Sequence, residues 1–235
     1  MGTSRSFRAH AQRVRLLPFL HASPITFRVT RRRKPEARCD ICRMRQEICI
    51  CPEIAAFKRR WQPRTRVTVL MHHREENLTT NTAHLASLLL PCCEIHLRGE
   101  IGKSIDPSLI LKSGESPLLL YPSQDAIVLT PELVAALPHP VTLIVPDGSW
   151  RQASKVAKRE AFLKDVPKVV LSPDAPSRYR LRREPKEEGL GTFEAIARAV
   201  GVVEGRALRA ELEKVFEEMV ERTLRSREGK KPISG

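Results

Sequence analysis

Two groups of residues in this chain have types and spacing suited to chemistry. Four of its six cysteines fall within thirteen residues, in the pattern Cys39-x2-Cys42-x6-Cys49-x-Cys51. Short loops of this kind bring pairs of thiolates to one side of a tight turn, where four of them can bind one zinc ion tetrahedrally. Such a zinc ion is structural, because four thiolates leave no position for water or substrate. The alternative is a partial site or four thiols without a metal, since the Cys-x-Cys half is unusual.

The second group is the tetrapeptide Asp147-Gly148-Ser149-Trp150, which follows an apolar run. A carboxylate just beyond the C-terminal end of a buried strand lies where open α/β sheets bind ligands. Ser149 can cap a helix that starts near Trp150. This position suits Asp147 as a catalytic base. The alternative is a structural turn, in which Asp147 and Gly148 reverse the chain and Trp150 fills core space.

The elements that must position these residues alternate between strands and helices. Short β-prone apolar runs occupy residues 66–71, 94–97, 117–121, 126–129 and 141–145. Helical apolar spacing covers residues 79–90, 150–163, 192–203 and 206–227. Brief runs bounded by Pro, Ser or Asp are typical of a parallel sheet that is buried on both faces. The sequence therefore predicts an α/β fold with a mainly parallel sheet covered by helices.

The charge is distributed unevenly along the 235 residues. Residues 1–38 contain ten Lys and Arg against only Glu36, which leaves +5 of the total net charge of +14 for the remainder. A basic arm on a modestly basic body fits binding to RNA, although such a tail can also serve solubility alone. The cysteine pattern is not a disulfide framework, and no apolar run approaches the length that spans a bilayer. We therefore expect a soluble, cytoplasmic monomer with no membrane partner.

Five motifs occur in order along residues 38–204. They are Cys39-Asp-Ile-Cys42 with Cys49-Ile-Cys51, His72-His73-Arg74-Glu75 followed by Asn81-Thr82, Tyr121-Pro122, Pro146-Asp147-Gly148-Ser149-Trp150-Arg151-Gln152-Ala153, and Ser177-Arg178-Tyr179-Arg180-Leu181-Arg182 with Thr192-Phe193-Glu194-Ala195. Together they resemble the DTW-domain family of tRNA-uridine aminocarboxypropyltransferases. Ser149 stands where the family pattern has threonine, a change that keeps the hydroxyl and its capping ability.

The resemblance implies a SPOUT-like fold, in which the C-terminal part of the sheet is knotted around the S-adenosylmethionine site. The sequence itself shows no knot, so this expectation is an analogy. The expected organisation is a basic extension at 1–37, a DTW domain at 38–228 and a tail at 229–235. Within the domain we expect a small zinc-binding lobe at 38–62, a cofactor-binding core at 63–204 and a C-terminal helix at 205–228.

The implied reaction moves the 3-amino-3-carboxypropyl group of S-adenosylmethionine to N3 of a tRNA uridine and leaves methylthioadenosine. N3 carries a proton, so a carboxylate within hydrogen-bond reach can act as general base, and Asp147 is the candidate. The predicted cofactor-binding residues are Gly99, Tyr121, Pro122, Asp147, Gly148, Ser149, Trp150 and Thr192. The alternative roles are structural: Tyr121 as an aromatic residue at the rim of the core, and Thr192 as a helix N-cap.

RNA contact is predicted for the alternating run Arg178-Tyr179-Arg180-Leu181-Arg182, together with Arg151. The guanidinium groups can bind phosphates and Tyr179 can stack on an unpaired base. Two other function classes stay open: an RNA methyltransferase that uses the same donor, and a non-catalytic zinc-containing RNA-binding module. The three classes differ in what becomes of the donor. An aminocarboxypropyltransferase releases methylthioadenosine, a methyltransferase releases S-adenosylhomocysteine, and a binding module does not consume the donor.

Overall fold

The computed structural model of this protein describes residues 37–78, 81–174, 176–181 and 189–229. The predicted N-terminal extension and C-terminal tail lie almost entirely outside these residues. The α/β prediction is confirmed, because the described residues form a six-stranded sheet in which every strand pair is parallel. None of the helices within them combines the length and the apolar composition needed to cross a membrane.

The elements alternate along the chain. The strands are β1 Arg66–His72, β2 Cys93–Arg98, β3 Ser116–Leu120, β4 Ile127–Val128, β5 Val141–Asp147 and β6 Lys168–Val170. The α-helices are α1 Cys51–Arg60, α2 Ala83–Leu89, α3 Pro107–Ile110, α4 Pro131–Ala135, α5 Trp150–Ala153, α6 Val156–Arg159, α7 Thr192–Glu204 and α8 Arg206–Arg227. Short 3-10 turns cover Gln46–Ile48, His73–Glu75 and Ala161–Leu163.

The strand order is β2-β1-β5-β3-β6-β4, which places β5 between the two strands β1 and β3. Met71 of β1 aligns with Asp147 of β5, and His72 aligns with Arg98 of β2. Because all strands run the same way, their carboxyl ends meet at one edge of the sheet. That edge carries the tetrapeptide at 147–150.

Helices cover both faces of the sheet. Alternate strand residues point to opposite faces, so Val69 packs in the larger core, with α1, α2, α7 and α8, while the neighbouring Leu70 packs in a smaller one. The smaller core is closed by Ile110 of α3, Val156 of α6 and residues after α6. Burial on both faces explains why the central strands are continuous apolar runs rather than alternating ones.

The predicted helix over 150–163 is wrong. The segment breaks into α5, α6 and a 3-10 turn. The Ser154 hydroxyl donates to the Arg151 carbonyl (3.2 Å), which offers the backbone a local alternative to the helical ladder. Glu160 then adopts an extended conformation and pairs with Arg98 (Nε to Oε1 3.1 Å), which ends the turn of α6.

The crossing of α7 and α8 depends on Gly201. A Cβ built at this position lies 2.5 Å from the Cβ of Arg209, so the two helices approach each other through the missing side chain. Gly→Ala within a helix ordinarily stabilises by about 0.5–1 kcal/mol. We expect Gly201→Ala instead to destabilise by about 1–3 kcal/mol, because the helices must move apart. Urea unfolding measures the sign, and a stabilised variant would contradict this packing.

Candidate active site and thiol cluster

A cavity of about 1010 Å³ opens at the carboxyl edge of the sheet. Its walls include the segments after four parallel strands and the start of α7. The lining residues after the strands are Glu75, Asn81 and Thr82 after β1, 120–122 after β3, 145–151 around the end of β5, and 169–174 after β6. Ligands of open α/β sheets bind at this edge, and the volume suits a nucleoside-sized molecule.

Asp147 lies in the wall of this cavity, but within β5 rather than just beyond the end of the strand, where the sequence predicted it. It is the last residue of β5 and is only 7% exposed. The Thr192 hydroxyl at the start of α7 donates to its Oδ1 atom. The carboxylate is thus held between the sheet and α7 at the edge where the cavity opens.

The turn after Asp147 requires a glycine. Gly148 has φ +146, and a Cβ there would lie 3.0 Å from Oε1 and 3.1 Å from Cβ of Gln152. Ser149 is the N-cap residue of α5, as predicted. Gln152 Oε1 accepts hydrogen bonds from the Ser149 N–H (2.7 Å) and the Ser149 hydroxyl (2.8 Å). These bonds fix the direction of α5, which begins at Trp150, relative to the end of β5.

The structure brings most of the predicted cofactor-binding residues to this cavity. Those that line it are Tyr121, Pro122, Asp147, Gly148, Ser149, Trp150 and Thr192. Gly99 stands apart from the lining, beside the ring of His72, where an added Cβ would meet Nε2 at 3.0 Å. The helix N-cap of α7 is Gly191 rather than Thr192, which leaves the Thr192 hydroxyl directed at Asp147.

His72 ends β1 next to these residues and stacks on His73, with 4.7 Å between ring centroids. Its Nδ1 accepts from the Arg74 N–H (3.3 Å), which places the ring proton of the neutral form on Nε2. Burial lowers the pKa of His72, and the positive charges of His73, Arg98 and Arg74 lower it further. The neutral imidazole is therefore the favoured form at neutral pH.

Sequence reasoning assigned no role to several charged or polar residues in the cavity wall. Glu75 and Arg198, both 7% exposed, line it together with Asn81 and Thr82. Glu75, Asn81 and Thr82 belong to the second of the five sequence motifs, so they could have been proposed from it. Arg198 could have been proposed from its spacing, because Thr192, Ala195 and Arg198 recur at helical spacing and share one face of α7.

The predicted RNA-binding residues divide into different environments. Arg151 is exposed at the cavity. Arg178 and Arg180 are exposed too, and their guanidinium groups pair with Glu217 and Glu221 of α8. Tyr179 is 5% exposed, with its ring 5.7 Å from that of Phe216, so it packs in the core while its predicted stacking on a base stays a prediction. Arg182 lies outside the described residues.

The four clustered cysteines converge as their spacing predicts. The Sγ atoms of Cys39, Cys42, Cys49 and Cys51 all lie within 4.8 Å of one another, with separations of 3.5 Å for Cys39–Cys51 and 3.6 Å for Cys42–Cys49. Sulfurs bound at about 2.3 Å to one tetrahedral zinc stand about 3.8 Å apart. Backbone hydrogen bonds from Cys42 and Ile41 lower the pKa of the Cys39 thiol to about 6, which favours a thiolate there, whereas burial raises the pKa of the Cys42 and Cys51 thiols. The cluster could therefore bind a metal.

The thiol cluster is attached to the last helix. Arg222 of α8 donates to the carbonyl oxygen of Cys49 and pairs with Glu53 of α1. On another side, Nε2 of His84 in α2 lies 2.8 Å from the Ile41 carbonyl oxygen. The loop that holds the thiols is thus tied to three helices that also build the larger core.

The chain is similar in sequence to members of one known protein family. Residues 36–224 match the family described as DTW domain. Curated relatives include tRNA-uridine aminocarboxypropyltransferase 2 of Macaca fascicularis, 29% identical over 74% of this chain and 58% of the relative, and its Drosophila melanogaster namesake, 28% identical over 72% and 67%. tRNA-uridine aminocarboxypropyltransferase A of Arabidopsis thaliana is 27% identical over 77% and 79%. This chain therefore spans less than two thirds of the macaque relative, and no solved structure matches significantly.

Proposed function

Because this chain belongs to the DTW domain family over residues 36–224, we propose that it is a tRNA-uridine aminocarboxypropyltransferase. It transfers the 3-amino-3-carboxypropyl group of S-adenosylmethionine to N3 of a uridine in tRNA and releases methylthioadenosine. The relatives that carry this name support the reaction class. The single structural observation that carries the proposal is the buried carboxylate of Asp147 in the wall of a large cavity at the carboxyl edge of a parallel sheet.

In this proposal Asp147 is the general base. S-adenosylmethionine supplies an electrophilic methylene carbon bonded to a positively charged sulfur. The N3 proton of the uridine passes to the Asp147 carboxylate, N3 forms its bond to the methylene carbon, and the carbon–sulfur bond breaks so that methylthioadenosine leaves. The Thr192 hydroxyl bonded to Oδ1 holds the carboxylate in orientation.

The choice between aminocarboxypropyl and methyl transfer is one of positioning, because each carbon on a sulfonium is electrophilic and the aligned one reacts. Tyr121 and Pro122 after β3 and the turn 147–150 after β5 are the residues we propose to hold the donor. Their support is that they face one cavity from different strands. Gly99 has less support, since it lies beside His72 rather than in the lining.

The finer fold assignment and the metal belong to the same proposal. A SPOUT-like knot is proposed by analogy with the family. Residues 169–174 and the start of α7, all late in the chain, line the cavity together with the end of β3. Zinc is the metal we propose for the four cysteines, with a structural role, because four thiolates close its coordination sphere. The domain boundaries and the cytoplasmic location stay predictions.

Contact with RNA gives a prediction at Arg151, which is exposed at the cavity. We expect Arg151→Ala to weaken tRNA binding several-fold and to reduce the slope of log affinity against log salt by about 1, the signature of one lost phosphate contact. Arg64→Ala is the matched control, because Arg64 is exposed just before β1, at the opposite edge of the sheet. Binding titrations at several salt concentrations measure both, and equal losses would contradict the assignment.

Product analysis tests the reaction. The purified chain is incubated with unmodified tRNA and S-adenosylmethionine, and nucleosides and small products are identified by mass spectrometry. We expect 3-(3-amino-3-carboxypropyl)uridine together with methylthioadenosine. A methylated nucleoside with S-adenosylhomocysteine would replace the proposal with a methyltransferase. RNA binding by metal-loaded protein without consumption of the donor would replace it with a binding module.

A further inference from the structure

Glu194, in the first turn of α7, is a buried carboxylate with an unusual set of partners. It is 3% exposed. Its Oε2 accepts from the Ser177 hydroxyl (2.6 Å) and the Gly191 N–H (2.9 Å), and its Oε1 accepts from the Arg178 N–H (2.7 Å). One side chain therefore joins two stretches of chain, residues 177–179 and residues 190–192, which lie on either side of residues 182–188.

Both stretches line the cavity, whereas Glu194 does not. Ser177 and Tyr179 face it from one stretch, and Leu190 and Thr192 face it from the other. Ser177 also accepts from the Tyr179 N–H (3.1 Å), so the bond to Glu194 extends to the next lining residue. The Glu194 carboxylate, which lies outside the cavity lining, thus sets the distance between these two walls.

Helix capping accounts for only part of this arrangement. The bond to Gly191 is the backbone half of a capping box, and a capping glutamate works equally well at a surface. The bonds to Ser177 and Arg178 come from residues 17 and 16 positions earlier, respectively, and serve no helix end. Burying a carboxylate is unfavourable unless its oxygens are hydrogen-bonded, so the site depends on all three donors being in place.

We propose that Glu194 is a positioning residue that fixes the two cavity walls at the separation needed to bind S-adenosylmethionine. This inference rests on the proposed function, which supplies the ligand. The role requires the charged carboxylate, whose two oxygens accept hydrogen bonds from all three donors. A glutamine side chain has one acceptor oxygen and would direct its N–H groups at the remaining donors.

The test compares Glu194→Gln with Glu204→Ala. Glu204 ends the same helix, about 15 Å further along its axis, and also accepts three bonds, from Arg64 N (2.9 Å), Thr65 N (2.6 Å) and Thr65 Oγ1 (2.5 Å). The alanine control therefore removes a comparable set of bonds far from the cavity. The readouts are the Kd of S-adenosylmethionine by calorimetry, KM and kcat with tRNA, the melting temperature, and amide hydrogen exchange at Arg178 and Gly191.

For Glu194→Gln we expect faster exchange at Arg178 or Gly191, a 10- to 100-fold rise in the Kd and KM for S-adenosylmethionine, and a kcat at saturation within a few-fold of the original. Glu204→Ala should lower the melting temperature without changing the Kd. If Glu194→Gln does not fold, Glu194→Asp keeps the charge on a shorter side chain and should give a smaller rise in the same constants.

Two results overturn the inference: an unchanged Kd in a folded Glu194 variant, or an equal rise in Kd for Glu204→Ala. Failure of the proposed function looks different. In that case the original chain binds no S-adenosylmethionine, and the cofactor role of Glu194 falls with it. The exchange rates at Arg178 and Gly191 would then still show whether the carboxylate holds the two walls together.

Discussion

Replacing Asp147 with asparagine is expected to lower turnover by about 10²- to 10⁴-fold, the usual contribution of a general base. Asparagine has nearly the same shape, and its amide oxygen can still accept from the Thr192 hydroxyl that bonds Oδ1. It cannot take a proton from uridine N3 at neutral pH. The change therefore removes the proposed chemistry while leaving the wall of the cavity in place. Single-turnover rates with saturating S-adenosylmethionine and tRNA measure this effect.

The affinity for S-adenosylmethionine decides how such a loss is interpreted. Asp147 has two proposed roles, as the base that acts on the acceptor and as part of the turn 147–150 that holds the donor. Asp147→Asn should therefore lower turnover far more than it raises the Kd of the donor. Asp165→Asn is the control, since Asp165 is an exposed carboxylate away from the cavity lining. Full turnover in Asp147→Asn would eliminate the base assignment. A loss confined to the Kd would leave Asp147 with donor binding alone.

Substitution of Cys42 by serine is expected to have the largest effect on stability. Cys42 is the only buried residue of the four-cysteine cluster, and the other three are half-buried. Structural zinc contributes directly to folding, so its loss should cost about 4 kcal/mol or more. For a chain of this size that corresponds to a melting temperature lower by about 8–16 °C. Calorimetry together with metal analysis by mass spectrometry gives both quantities.

Cys92→Ser provides the comparison, because Cys92 is exposed and lies outside the cluster. It should keep one zinc per chain and the original melting temperature. The Cys42 variant should also show faster hydrogen exchange in α8, since Arg222 of that helix bonds to the Cys49 carbonyl. Absence of zinc from both the original chain and Cys42→Ser, with equal stability of the two, would favour four thiols without a metal.

The parts of the structure that sequence reasoning predicted are those determined locally. The four thiols fall within thirteen residues, so short loops alone bring them together. The buried strands β1 and β5 are mostly apolar runs of seven residues each, and α8 has an apolar stripe. Each signal is contained in one segment and needs no knowledge of its neighbours.

What the sequence did not predict depends on contacts between distant segments. Strand β6 has three residues, too few for a periodic signal, and exists because it pairs with β3 and β4. The depth of Asp147 follows from α7 packing over the end of β5, which brings in the Thr192 hydroxyl from 45 residues away. Glu194 belongs to a recognised motif, but its bond to Ser177 appears only once both stretches are in place.

The position of β5 has a consequence for how the chain is assembled during synthesis. Strands β1 and β3 are made before β5, yet they join one sheet only through β5, which lies between them, and β3 and β4 likewise need β6. Before residue 147 has been made, β1 and β2 are therefore the one pair among the described strands that can form. Completion of the sheet and construction of the cavity coincide, because both require β5 and β6. Partly made chains thus expose unpaired apolar strands, the kind of intermediate that chaperones bind.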